Sequence, residues 1–453
     1  MNRAIKFSIA IFLPALLLVL MPAFSCAQDT AVDNGMPWID FARLEEPQVT
    51  VDVPEEAGPE ISDDAPAVVV EEDTEVASAP QDSEDAVPPK PSLITSYESN
   101  ATASKAVEKS IGLFSTTIKE RFSLWLSRSG QYLDMMKGIL RKKNVPEDMV
   151  FLSLIESGFN PNAYSIARAA GPWQFIASTA RRYGLEINWW KDERRDPIKS
   201  TEAAADYLKD LYGMFGSWNL AMAAYNAGEG KILKAIKRSK ADTYWDLLGT
   251  RHIKRETKEY VPRFIAAGLI ATNPKDFGFE DIAYHEPLSY DEVELDAPLD
   301  LSVAAECAGT DTESLKKLNP ELRRWCTPPD VPHYVLRIPK GTKEAFLAKL
   351  SQVPEGGRFT LEHYTVRKGD SFKKIAHRTG FPVSVILSLN SMEKIMPLKA
   401  GSTIYLPPKG LFMADNDDRA VARKASYHRH KKKRPLSRGA SAHHRRSDLI
   451  AAR

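Results

Sequence analysis

Val150-Phe151-Leu152-Ser153-Leu154-Ile155-Glu156-Ser157-Gly158-Phe159-Asn160-Pro161 is an apolar run that closes on one acid and a cluster of helix breakers. Val150, Leu152, Leu154 and Ile155 supply the apolar side of a helix, and Gly158, Asn160 and Pro161 stop it. Asn144, with Glu147 three residues on, reads as a capping box at its start. This places Glu156 on the last turn, at a mouth rather than in mid-core. Desolvation at such an edge raises a carboxyl pKa and keeps the group protonated as a general acid. A glutamate at a helix end is also a common solvated surface group, so position alone does not assign it a role.

Outward from this run the helical pattern extends from Ser110 to about Ala271. Phe114, Ile118, Phe122, Leu124 and Leu126 read as one helix, and Ala203 to Phe215 and Leu220 to Tyr225 as others. Asp196-Pro197 followed by Ser200-Thr201-Glu202 reads as a turn feeding the cap of a helix at Ala203–Leu208. The fold class expected is mainly α, with a helical domain over 106–280. At 453 residues and 43% hydrophobic content, about three domains of roughly 150 residues fit the length.

The net charge of +1 conceals two ends of opposite sign. Residues 28–105 are acidic and Pro-rich, with Glu71-Glu72-Asp73 and Val87-Pro88-Pro89, and read as a disordered linker that cannot bury enough apolar surface to offset chain entropy. Residues 412–453 form a basic tail with Lys431-Lys432-Lys433-Arg434 and His443-His444-Arg445-Arg446, ordinarily a solvated segment. Residues 1–27 read as an export signal: Arg3 and Lys6 precede an apolar run of ~15 residues, short of the ~20 a bilayer crossing needs. Ser25-Cys26-Ala27 fits simple cleavage, and cutting after Ser25 would instead leave Cys26 as a lipid-bearing first residue and a membrane anchor. With export, the tail's expected partners are wall polymers or anionic surfaces rather than nucleic acid. Of the three cysteines, Cys307 and Cys326 can pair in an oxidising compartment or stand as buried thiols. No Cys-x-x-Cys or His set points to a metal, and no cofactor is expected.

Four motifs follow in order: Glu156-Ser157-x-Phe159-Asn160-Pro161, Gly171-Pro172-Trp173-Gln174-Phe175, Ala224-Tyr225-Asn226-Ala227-Gly228 and Glu259-Tyr260-Val261-x-Arg263. Together they resemble the lytic transglycosylase family, with a goose-type-lysozyme-like fold, nearest to its membrane-bound murein transglycosylase D group. The resemblance implies cleavage of peptidoglycan between N-acetylmuramic acid and N-acetylglucosamine, with Glu156 as the catalytic acid/base. It implies that Ser157 partners the acid and that Tyr260 stands beside it. Gln174 and Trp173 follow a turn that can present an amide to a sugar N-acetyl group and a ring to a sugar face; Trp173 as plain core is the even alternative. Tyr225 and Asn226 can face the cleft, although Asn226-x-Gly228 also reads as a helix C-cap. Asp192, Glu193 and Asp196 are the rival acids of a two-carboxylate hydrolase, or salt-bridge partners of Arg194 and Arg195. A muramidase and a non-catalytic wall-binding scaffold are the alternative functions.

The C-terminal third repeats itself. At an offset of 71 residues Ala305, Gly309, Leu318 and Asn319 align with Ala376, Gly380, Leu389 and Asn390. Each copy reads as two short helices and a strand, with an opening strand at His363–Val366 in the second. His363-Tyr364-Thr365-Val366-Arg367-Lys368-Gly369-Asp370-Ser371, with Asn390 and Ile404-Tyr405-Leu406-Pro407, resembles a LysM domain over 362–408, a βααβ binder of N-acetylglucosamine polymers. That resemblance implies glycan contacts around Gly369, Asp370, Ser371 and Asn390. The copy at 295–342 lacks the Gly-Asp opening and is expected to be a degenerate, structural LysM-like module.

Overall fold

The computed structural model describes residues 92–95 and 100–409. The expected export signal, most of the acidic linker and the basic tail lie outside the described residues. Among the described residues, no helix is long and apolar enough to cross a membrane.

The helical part consists of α1 (Ala101–Gly112), α2 (Lys119–Lys142), α3 (Val150–Ser157), α4 (Ala177–Arg182), α5 (Pro197–Phe215), α6 (Trp218–Ala227), α7 (Glu229–Ser239), α8 (Tyr244–Leu248) and α9 (Arg255–Thr272). Helical structure therefore starts upstream of the expected boundary at 106, where the Asn100 side chain accepts from the Ala103 amide. Before it, Ile94 is buried in the core. The stretch read as one helix around Phe114 is broken by a π-turn at Leu113–Thr117. Phe114, Phe122 and Leu126 are buried there, whereas Leu124 is exposed, because a residue two steps from Phe122 and Leu126 falls on the far side of a helix. α3 and α6 are apolar nearly all round, with Leu220 to Ala224 all buried, and such helices belong in the centre of a core.

Two local readings need correction. Asn144 is no cap: it sits at φ 59° after α2, Glu147 pairs instead with Arg141 at 2.7 and 2.9 Å, and α3 has no side-chain cap. α5 starts earlier than read, at Pro197, with Asp196 as its N-cap accepting from the Ile198 and Lys199 amides. Proline at the first helical position gives up a hydrogen bond that no helix could have made there.

The C-terminal third holds two small antiparallel pairs. The first module is β1 (Tyr290–Leu295), α10 (Leu301–Ala308), α11 (Thr312–Leu318) and β2 (Tyr334–Pro339), followed by α12 (Lys343–Gln352) and the short α13 (Glu355–Arg358). Its opening strand escaped the sequence reading; burial alternates only at its end, Val293 and Leu295 being buried and Glu294 exposed. The second is β3 (Glu362–Thr365), α14 (Phe372–Thr379), α15 (Val383–Leu389) and β4 (Thr403–Leu406). Both are βααβ. Asn319 and Asn390 do the same work in each: the Asn319 amide donates to Arg337 O at 2.7 Å and accepts from Arg337 N at 2.9 Å, and Asn390 exchanges bonds of 2.9 and 2.8 Å with Tyr405. Cys307 and Cys326 are both free and buried. They do not pair, because Cys307 packs inside the first module while Cys326 packs in a separate aromatic cluster with Trp190 and Trp325.

Candidate active site

α3 ends at Gly158, which adopts φ 59° and sits so close to Trp125 that a Cβ would lie 2.2 Å from its ring. This close approach fixes the direction in which the last turn points. Glu156, one turn's breadth from that end, keeps a partly open carboxyl that accepts a 2.6 Å hydrogen bond from the Tyr260 hydroxyl on α9. Burial drives its pKa up to about 7; the Tyr260 bond opposes this, and the nearby charge of Glu256 adds to it. At neutral pH about half of such a group carries a proton, the condition for donating it and taking it back.

Ser157 faces away from solvent and ties α3 to the next motif. Its hydroxyl donates to Pro172 O at 2.8 Å and accepts from the Asn160 amide at 3.1 Å. Ser153, one turn earlier, also reaches Pro172 O, at 3.1 Å. The Gly171–Phe175 turn is thus anchored to the helix that carries Glu156. Arg168, Gly171 and Gln174 all have positive φ, at 65°, 80° and 49°; for the two non-glycine residues this costs about 1–3 kcal/mol each and persists only where the surroundings over-determine it. Gln174 is buried, and its amide donates to Gly171 O at 2.9 Å and Ala163 O at 3.3 Å. Trp173 is core, fully buried, with its indole N–H on the Thr201 hydroxyl at 2.9 Å. The reading that its ring stacks on a sugar is therefore corrected; it serves through its backbone, whose carbonyl accepts from Tyr225 at 2.7 Å.

Tyr225 and Tyr260 flank Glu156 from α6 and α9. Both hydroxyls are pushed well above their ordinary pKa, by burial first and then by the Glu156 charge, so both remain hydrogen-bond donors at any working pH. Asn226 accepts from Thr257 at 3.0 Å and donates to Glu256 at 3.4 Å, tying the end of α6 to the start of α9. Two neighbours escaped the sequence reading. Glu256 stands four residues before Tyr260 and so on the same face of α9, a spacing that could have signalled it. Tyr207 lies on α5 with its ring 5.2 Å from that of Tyr225; an isolated tyrosine in a helix carries no such signal.

The rival acids are structural. Asp192 and Arg194 form a buried two-pronged pair at 2.7 and 2.9 Å. Glu193 pairs with Lys191 and Lys199, at 2.9 and 2.7 Å, rather than with an arginine. Asp196 caps α5 and takes Arg337 at 2.7 Å.

In the second module, Gly369 makes the turn at φ 85°, Asp370 accepts from Tyr364 at 2.6 Å and from the Arg367 amide at 3.0 Å, and Ser371 caps α14. These three share one turn. Asn390 lies instead at the end of α15, bonded to β4. Among the described residues, Glu294, Asp296 and His333 bring ligand atoms within 4.8 Å of one another on an exposed surface; none of them belongs to the Glu156 site.

The helical domain thus holds one half-buried acid beside two tyrosines, an arrangement that can give up a proton and take it back, and parts of the chain are similar to known proteins. Residues 134–248 match the family described as the transglycosylase SLT domain, 289–355 that of the lytic transglycosylase MltD LysM-like domain, and 364–407 that of the LysM domain. The chain is 33% identical over 294 residues to membrane-bound lytic murein transglycosylase D of Escherichia coli K12, an alignment covering 62% of this chain and 64% of that protein. The chain thus spans somewhat under two thirds of the length of that relative. It is 39% identical over 115 residues to a putative tributyltin chloride resistance protein of an Alteromonas species, covering 25% of this chain and 56% of that one. Among solved structures it is similar to the 70 kDa soluble lytic transglycosylase of Escherichia coli, with a TM-score of 0.30 and 23% identity over 40% of this chain and 32% of that one.

Proposed function

We propose that this chain is a peptidoglycan lytic transglycosylase, with its catalytic domain over 106–280 and the turns upstream of it. The observation that carries the reading is the Glu156 carboxyl, raised to about 7 and held by Tyr260 at 2.6 Å. Glu156 protonates the oxygen linking N-acetylmuramic acid to N-acetylglucosamine. The substrate's own N-acetyl oxygen stabilises the oxocarbenium-like centre. The ionised Glu156 then takes the proton of the muramyl 6-hydroxyl, whose oxygen attacks the anomeric carbon and leaves a 1,6-anhydro end. No second carboxylate is needed for that sequence, in contrast to ordinary glycoside hydrolysis. Tyr260 orients the acid, Ser157 and Gln174 shape the turn beside it, Tyr225 holds that turn through Trp173 O, and Asn226 ties α6 to the helix that carries Tyr260.

One observation favours a second reading, a muramidase that uses water. Glu256 is a further carboxyl close enough to raise the Glu156 pKa. Digesting purified peptidoglycan and weighing the muropeptides separates the two, since anhydro ends are one water lighter than reducing ends. Reducing ends alone would sink the transglycosylase reading, and no release at all would favour a wall-binding scaffold.

The LysM module at 362–408 is assigned to N-acetylglucosamine polymers, and raises the enzyme's local concentration at the wall. Export to the cell envelope fits the amino-terminal signal and the membrane-bound relative. Mass spectrometry of the mature amino terminus, looking for acyl groups on Cys26, decides between a lipid anchor and simple cleavage.

A further inference from the structure

We propose that the first βααβ module, at 290–339, is a brace that holds the active-site turn beside Glu156, with Arg337 as its positioning residue. The proposal rests on the reading of Glu156 as the acid and assigns the module a task other than glycan binding.

The module grips one loop of the helical domain along its length. Asp192 N donates to Glu321 O at 2.9 Å, and Arg323 N donates to Trp190 O at 3.0 Å. The side chains of Arg323 and Arg324 donate to Asn188 O and Trp189 O, each at 2.7 Å. Arg337, on β2, reaches Asp196 Oδ2 at 2.7 Å, while the other oxygen of that carboxylate caps α5. All of these partners belong to the module or to the stretch from Asn188 to Asp196.

That same stretch holds the strained turn. Arg194 donates through Nη1 to Arg168 O at 2.8 Å and to Phe175 O at 3.1 Å, clamping both ends of the segment with three positive φ angles. Gly171 lies so tightly under Arg194 O that a Cβ would be 1.7 Å from it. From the turn, Pro172 O receives the Ser157 hydroxyl and Trp173 O receives Tyr225. The module is thus two hydrogen-bonded layers from the acid. A turn held against its own backbone preferences needs such over-determination, and an active constellation loosened by an ångström loses rate rather than affinity.

The test uses the full chain with Arg337→Met. Amide hydrogen exchange across 168–175 is expected to rise at least tenfold, and kcat on purified glycan strands to fall about tenfold at unchanged KM and unchanged retention on insoluble wall. Arg337→Lys, which keeps a charge for Asp196, is expected to recover most of both. Should Arg337→Met fail to fold, Arg323→Ala carries the same two readouts. Exchange across 168–175 and turnover that both match the unaltered protein overturn the brace, as does loss of wall retention with turnover intact. Exchange is read without substrate, so an unaltered chain that released no anhydro product would overturn the enzymatic reading alone, and the brace would still stand or fall on exchange.

Discussion

At Glu156 two effects oppose each other, since burial favours the neutral carboxyl and the Tyr260 hydroxyl favours the charged one, and burial prevails. The folded pKa lies above the ordinary 4.5, so the proton is bound more tightly in the folded state. Its contribution to stability is full below that value and is lost as pH rises toward about 7. Glu156→Gln is therefore expected to be more stable than the parent near pH 8, by about 3 kcal/mol, and no more stable near pH 4; thermal melts at the two pH values check this. The same substitution is expected to cut kcat about a hundredfold to ten-thousandfold. Tyr260→Phe removes the bond that lowers the pKa, so the alkaline limb of the kcat/KM profile is expected to move to higher pH; a limb that stays in place or moves down would separate Tyr260 from the acid.

Among the elements, the two βααβ modules repeat one device, an asparagine at the end of the second helix that hydrogen-bonds the backbone of the last strand. Asn319 is fully buried and Asn390 only half-buried. Asn319→Ala strands a buried N–H and a buried C=O and is expected to cost about 2–4 kcal/mol. The cost of Asn390→Ala is expected to be smaller, because water can reach its partners; chemical denaturation of the two variants checks the order. Gly171→Ala meets backbone at a positive φ and is expected to prevent the active-site turn from forming, seen as loss of soluble folded protein.

At the scale of the described region, the aromatic cluster joins the helical domain to both βααβ modules. Trp189 and Trp190 from the helical domain pack with Trp325 and Cys326 of the first module and with Val385 and Leu389 of the second, and Trp190 and Trp325 ring centroids stand 5.7 Å apart. A shared core of this kind predicts one cooperative melting transition for the described region. Trp190→Ala, at a cost of about 3–5 kcal/mol, is expected to split it into at least two in calorimetry.

Glu156 on a last turn, the order of the four motifs, the helical class of the domain and the Asp192–Arg194 pair were legible in the chain, because helical periodicity, helix breakers and neighbouring opposite charges act over a few residues, whereas the lysine partners of Glu193 were not. Folding alone decided that Trp173 is core and not a sugar platform, that Asn390 holds a strand, that Tyr207 joins the site, and that Arg337 reaches Asp196 across 141 positions. Burial and partnership between distant residues depend on how helices pack, and no local pattern carries that information.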